Sequence, residues 1–461
     1  MTHADNPFLS GNFAPVEAEL TAFDLPVEGQ IPKALNGRFI RNGPNPLGDI
    51  DPATHHWFTG NGMVHGLKLE DGQARWYRNR YVRSPAICAL LGETPIENPF
   101  GDPARIFAAN TNVIGHAGRT FALVEAGGCP VELSYELDTI AYSDFGGTLE
   151  RAFSAHPKRD PLTGELHTVA YCWGWGNQVQ YVCVDAMGQV SRSVNVPTTG
   201  GPMVHDTAFT ERFVLILDLP CVFDVNAARR GVSLPYRWQP EYPARIGLLP
   251  RDGAETGSSD VIWADIEPCY IFHPLNAYDD EQGRVVFDAV RHPRMFAGEH
   301  VIGPPNEGTS TLDRWTIDPV SRRVSHDVIS ERAQEFPRHD ERREGRFSRF
   351  GYSTDLWPVD NQMALLKTDL RTGGVAVHSC PGRHHLEGVF IPREGNANED
   401  QADENQAGED DGWVMAYAWD AASSTSVVVI IDAADFKAPP VATVRLPQRV
   451  PFGFHGNWVS G

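Results

Sequence analysis

Apolar runs of about five to seven residues, broken by turn-forming clusters, recur from residue 64 onward and predict strands rather than helices. Val64–Leu69 and Ala74–Tyr77 flank Glu70-Asp71-Gly72-Gln73, whose Asp-Gly pair is a strong hairpin mark. Further strands are expected at Arg119–Val124, His167–Trp173, Val179–Val184, Phe213–Leu219, Arg284–Val290 and Leu312–Ile317. Met363–Thr368, Trp413–Trp419, Ser426–Asp432 and Val441–Leu446 complete the set. Residues 1–45 read as mostly irregular, and Pro85–Pro99 as a short apolar helix, a hydrophobic lid or a buried connection.

One turn pattern recurs without a fixed-period repeat: Asp160-Pro161-Leu162-Thr163-Gly164, Asp318-Pro319-Val320-Ser321-Arg322 and Asp369-Leu370-Arg371-Thr372-Gly373. Asp at the first position and Gly at the last suit a type I turn closed by a left-handed residue. Many short strands joined this way indicate an all-β chain and leave a propeller, a sandwich or a large barrel open. The lack of βα alternation argues against Rossmann and TIM folds. No linker divides the chain, so residues 1–461 are expected to form one domain.

Composition narrows the function. The 43 Gly and 35 Pro favour turns over long helices. A net charge of −21 argues against a nucleic-acid partner and a polybasic lipid anchor. The seven Cys lack a CxxC pair, and Cys172 and Cys183 sit in apolar runs, which reads as buried thiols in a reducing compartment. The first twenty residues lack the charged and apolar regions of a signal peptide, and no apolar stretch approaches the roughly 18 residues of a spanning helix. A cytoplasmic protein is expected, with a patch around Pro85–Leu91 as a candidate for peripheral contact with a bilayer. Glu394–Gly412 reads as a solvated acidic loop.

Among 17 His, four share a context. His156, His205, His273 and His455 each adjoin an apolar or aromatic run and a Pro, Gly or Asp that shapes the backbone. A residue before Pro is pushed toward extended geometry, so His156 should end a strand or sit on a loop. This combination suits metal ligands carried on rigid strand ends, too far apart in sequence for a zinc finger. The remaining His, including His292, take the ordinary reading of surface or hydrogen-bonded residues. Imidazole suits iron, copper, nickel and zinc alike. Four neutral imidazoles leave the metal charge whole and call for carboxylates to hold their outer N–H groups. Glu125, Glu335 and Glu387 stand in apolar or aromatic surroundings and are candidates, with ion-paired or strand-end acids as the alternative.

Together these segments resemble the carotenoid cleavage oxygenases, a family that includes stilbene- and phenylpropanoid-cleaving enzymes. The resemblance rests on RNGPNP (41–46), TGNGMVHG (59–66), ANTNVIGHAGR (109–119), SAHPKRDPLTGEL (154–166), MVHD (203–206), FHPLNAYDD (272–280), EFPRHDERREGR (335–346), VFIPRE (389–394), EDDGW (409–413) and GFHGNWV (453–459). It implies a seven-bladed β-propeller with a few short helices and loops capping the iron face. It further implies Fe(2+) on His156, His205, His273 and His455, with Glu125, Glu335 and Glu387 outside them. Thr111 matches the small residue near the open coordination position, or is a plain strand Thr. The reaction implied is cleavage of a conjugated C=C bond by O₂ to two carbonyl products, on an apolar small molecule held in a tunnel. Trp173, Trp175, Phe272 and Phe454 are candidate tunnel residues.

Three positions depart from the family pattern. Gly60-Asn61-Gly62-Met63 replaces an acidic turn, and Glu387-Gly388 replaces Glu-Pro. Val124 stands where members that cleave hydroxystilbenes carry Lys. A carotenoid or apocarotenoid substrate is therefore expected. The alternatives are a stilbene or alkenyl phenol cleaved by the same chemistry, and a non-catalytic propeller that binds isoprenoids.

Overall fold

The computed structural model describes residues 6–102, 105–252, 257–298, 307–393 and 408–461. His3, His300 and residues 394–407 of the expected acidic loop lie outside them.

The expected hairpins are present and explain the architecture. Gly62–Glu70 pairs with Gln73–Tyr81 across a turn in which Asp71 and Gly72 have φ of 50° and 74°, the double left-handed geometry that an Asp-Gly pair supplies. The three recurring turns also behave alike. The amide of Gly164, Arg322 and Gly373 each donates to the carbonyl of the Asp four residues earlier at 2.8 Å, and each has φ between 61° and 74°. Arg322 adopts this conformation without being Gly. Its turn keeps the same Asp carboxylate contact, with Val320 N–H donating to Asp318 Oδ1 at 2.9 Å.

Seven sheets radiate from a common axis, and each innermost strand starts beside it. Six of these strands are Gly456–Ser460, Asn112–His116, Lys158–Arg159, Ala208–Phe209, Pro274–Asp279 and Gln334–His339. The seventh sheet joins Val27–Gly29, Ala442–Arg445, Thr425–Asp432, Gly412–Asp420 and Arg383–His385, with Val389–Pro392 also pairing to Gly412–Asp420. The architecture is a seven-bladed β-propeller. Its ring closes where Gly456–Ser460 pairs antiparallel with Gly37–Pro44, a strand from the opposite end of the sequence.

Middle strands such as Phe213–Asp218 are buried on both faces, which is why they read as continuous apolar runs. Outer strands alternate, as in Val190–Pro197, and were not legible from apolar runs alone. The largest apolar cluster joins neighbouring blades through Val169, Val214, Ile246, Phe287 and Trp315.

Residues 37–45 are not irregular. Gly37–Pro44 is a strand buried along its whole length, disguised by Arg38, Arg41 and Asn42. Burial is tolerable because Arg38 donates to Tyr135 O and Thr120 Oγ1, and Asn42 to Ala109 O and Asn112 O. The expected strand at His167–Trp173 stops at Ala170, and Trp173–Trp175 forms a 3₁₀ turn. Pro85–Leu91 is a helix, capped by Ser84 and closed by Gly92 at φ 70°, with Leu90 and Leu91 exposed. All seven Cys are free; Cys172 is half-buried rather than buried. Among the described residues, no helix is long and apolar enough to cross a membrane.

Candidate metal centre

His156, His205, His273 and His455 each stand one or two residues before an innermost strand, or three in the case of His205. The propeller therefore delivers four imidazoles to one point on its axis, although sequence separates them widely. Their ligand atoms all lie within 4.8 Å of one another, and all four residues are buried.

Three outer nitrogens are held by carboxylates. His205 Nδ1 lies 3.0 Å from both oxygens of Glu125, His273 Nδ1 2.6 Å from Glu335 Oε2, and His455 Nδ1 2.9 Å from Glu387 Oε1. A carboxylate is an acceptor, so each Nδ1 carries the proton and each Nε2 presents a lone pair. The consequence is visible at His205 and His273, whose Nε2 atoms face each other at 3.2 Å. Two lone pairs at that distance repel, and His156 Nε2 is buried without a hydrogen-bond partner. Four converging imidazole nitrogens of this kind are a donor set that fits a metal ion.

The electrostatics favour neutral imidazoles at two of the four positions. Burial and the neighbouring imidazoles keep His156 neutral, holding its proton affinity well below the ordinary value. Burial also pulls His455 down to about 3 despite Glu387. At His205 burial is outweighed by the Glu125 carboxylate, and the net shift is upward. Burial opposes ionisation of Glu335 and Glu387, but His273 holds the first well below the usual carboxylate range, and Arg338 with His455 holds the second at about 2. Arg338 Nη1 donates to Glu387 Oε1 at 3.2 Å, and Gly456 N–H donates to Oε2 at 2.7 Å. These contacts fix Glu387 without the Pro that usually follows it.

His156 lacks a Glu. Its Nδ1 lies 3.8 Å from Asp206 Oδ2, which accepts a hydrogen bond from Lys158 Nζ at 2.9 Å. His292 is a residue that sequence reasoning passed over: its Nε2 lies 2.7 Å from Glu335 Oε1. The signal was present, because His292 stands before Pro293 just as His156 stands before Pro157.

Thr111 precedes the innermost strand of its blade. Its carbonyl accepts from His455 N–H at 3.1 Å, and its hydroxyl donates to Asn110 Oδ1 at 3.0 Å. Thr111 lines an apolar cavity of about 370 Å³ that reaches His205, His273 and His455. Trp173, Phe272 and Phe454 also line it, with Phe58, Val124 and Phe336. Trp175 does not; its ring lies under the Arg151 guanidinium at 5.2 Å.

The family model for retinal pigment epithelial membrane protein matches residues 13–460. A carotenoid cleavage oxygenase of Mycobacterium tuberculosis is 43% identical over 99% of this chain and 98% of its own length. Among solved structures, the lignostilbene dioxygenase of Pseudomonas brassicacearum superposes with a TM-score of 0.85 at 28% identity, covering 99% of this chain and 98% of that one. A mutant of the Synechocystis apocarotenoid oxygenase gives 0.84 at 26% identity, covering 100% and 99%. The four-imidazole cluster fits the iron site of such enzymes, and the chain belongs to the family of carotenoid cleavage oxygenases, iron-dependent dioxygenases that cleave alkenes.

Proposed function

We propose that this protein cleaves a conjugated C=C bond of a carotenoid or apocarotenoid with O₂, giving two carbonyl products, one oxygen atom to each. His156, His205, His273 and His455 would hold ferrous iron, and Glu125, Glu335 and Glu387 would orient three of them. Iron bound there supplies the activation of O₂. The residues around it hold the alkene and keep water out. Phe58, Phe272, Phe336 and Phe454 form an apolar wall on which a polyene can lie without ligating the metal. Thr111 sits at the edge of this wall beside His455, where it would limit access to a metal held by the imidazoles. Residues 1–461 act as one propeller domain, because its ring is closed by strands from the two ends of the sequence. The exposed Leu90 and Leu91 rest on the lipid surface from which so apolar a substrate is drawn.

The observation that carries this reading is the position of the cluster at the end of an apolar cavity in which Val124 replaces a phenol-binding Lys. The fit to a lignostilbene dioxygenase supports a second reading, cleavage of a stilbene by the same site. Anaerobic loading with Fe(II), followed by O₂ and product analysis, separates the two. Aldehyde or ketone fragments from an apocarotenoid alone are expected. Fragments from a hydroxystilbene alone would transfer the assignment to the second reading. No fragments from either, with iron bound, would sink both.

A further inference from the structure

His292 has no place in the ligand set, yet it is held as firmly as the residues that do. Its backbone is pinned by reciprocal hydrogen bonds with Tyr270 at 2.8 Å, and its ring meets Phe272 edge-on at 5.5 Å. Glu335 spans the space between two imidazoles, taking His273 on one oxygen and His292 on the other. Because that carboxylate only accepts, His292 Nε2 must carry the proton. Its Nδ1 is then an acceptor, without a hydrogen-bond partner among the described residues. The ring lines the apolar cavity.

We infer that His292 is a specificity-determining residue, whose Nδ1 accepts a hydrogen bond from a hydroxyl carried on a ring of the substrate. This rests on the alkene-cleaving reading above and names the class of alkene. A hydroxyl entering an apolar pocket needs an acceptor, and the other carboxylates that line this one are committed. Glu125, Glu335 and Glu387 bind imidazoles, and Asp355 binds Arg332 at 2.8 Å. Val124 offers nothing. His292 stands one carboxylate away from His273, so a ring hydroxyl bound there is held close to the four imidazoles.

The test is ligand binding to the iron-loaded protein without O₂, read by quenching of the tryptophans that line the pocket. Two matched pairs serve as probes: 4-hydroxystilbene against stilbene, and a 3-hydroxy-apocarotenal against its deoxy counterpart. For at least one pair, the wild-type protein should bind the hydroxylated member about tenfold more tightly, the value of one hydrogen bond of ordinary strength. Which pair shows the preference identifies the ring as phenolic or isoprenoid. His292→Phe keeps an aromatic ring against Phe272 but carries no acceptor, and should abolish the preference within the pair. Equal affinity within both pairs in the wild-type protein overturns the inference, whatever the variant does. Equal weakening of both members by His292→Phe overturns it too, by making the residue purely structural. Failure of the cleavage reading would appear separately, as ligand bound without products once O₂ is admitted.

Discussion

On one side of the four imidazoles lies a cavity walled by Phe58, Phe272, Phe336 and Phe454; on the other lies one walled by Arg159, His339, Glu341 and Glu344. The polar cavity, about 640 Å³, is the larger, and both touch His273, His455 and Glu387. All three carboxylates that hold the outer N–H groups line the apolar cavity, whereas only Glu387 reaches the polar one. The apolar side has few polar groups, so each of them decides orientation. The polar side is crowded with ion pairs such as Lys158–Asp206 and Arg338–Glu387, so its groups restrain one another. Chemistry belongs to the first environment and rigidity to the second.

The largest expected effect comes from removing the boundary itself. His273→Ala should abolish iron binding and alkene cleavage while leaving circular dichroism unchanged, because the propeller does not depend on that ring. Full turnover in the variant would show that His273 is not a ligand. Glu335→Gln comes next. It keeps the shape but weakens the acceptor shared by His273 and His292, and should lower metal affinity or activity roughly 10–100-fold. An unaltered iron titration would make Glu335 a structural acid.

The smallest effect is expected on the polar side. Burial raises the Glu344 carboxyl to about 8, against the pull of Lys158. Between the ordinary value of 4.5 and about 8 the folded chain keeps a proton that the unfolded chain has released, so stability falls as pH rises through that window. Glu344→Gln removes this loss. Its Tm should exceed the parent's by on the order of 1–2 °C above that window and match it below. A Tm lowered at every pH would mean that Glu344 is ionised and paired, and the contrast between the two cavities would shrink.

The strands buried on both faces were legible because their apolar runs are uninterrupted, as in Phe213–Asp218 and Thr425–Asp432. The turns were legible because Asp and Gly leave little choice of backbone. Gly37–Pro44 was not, since its charged residues are neutralised by partners from distant blades that no local pattern reveals. The four imidazoles stood out by their strand-end context, but seven blades and their closure came from the resemblance to known enzymes rather than from periodicity. Which carboxylate holds which imidazole is a property of three-dimensional neighbours: Glu335 and His273 meet across adjacent blades. His292 shared the His-Pro context of His156 and was still passed over, because nothing in the sequence shows that Glu335 has a second oxygen to offer.

The pairing of Gly456–Ser460 with Gly37–Pro44 has a temporal consequence. His455 directly precedes the strand that seals the ring, so the fourth imidazole joins the other three only when Gly456–Ser460 pairs with Gly37–Pro44. A metal held by all four imidazoles would then be bound at full strength only once the ring has closed.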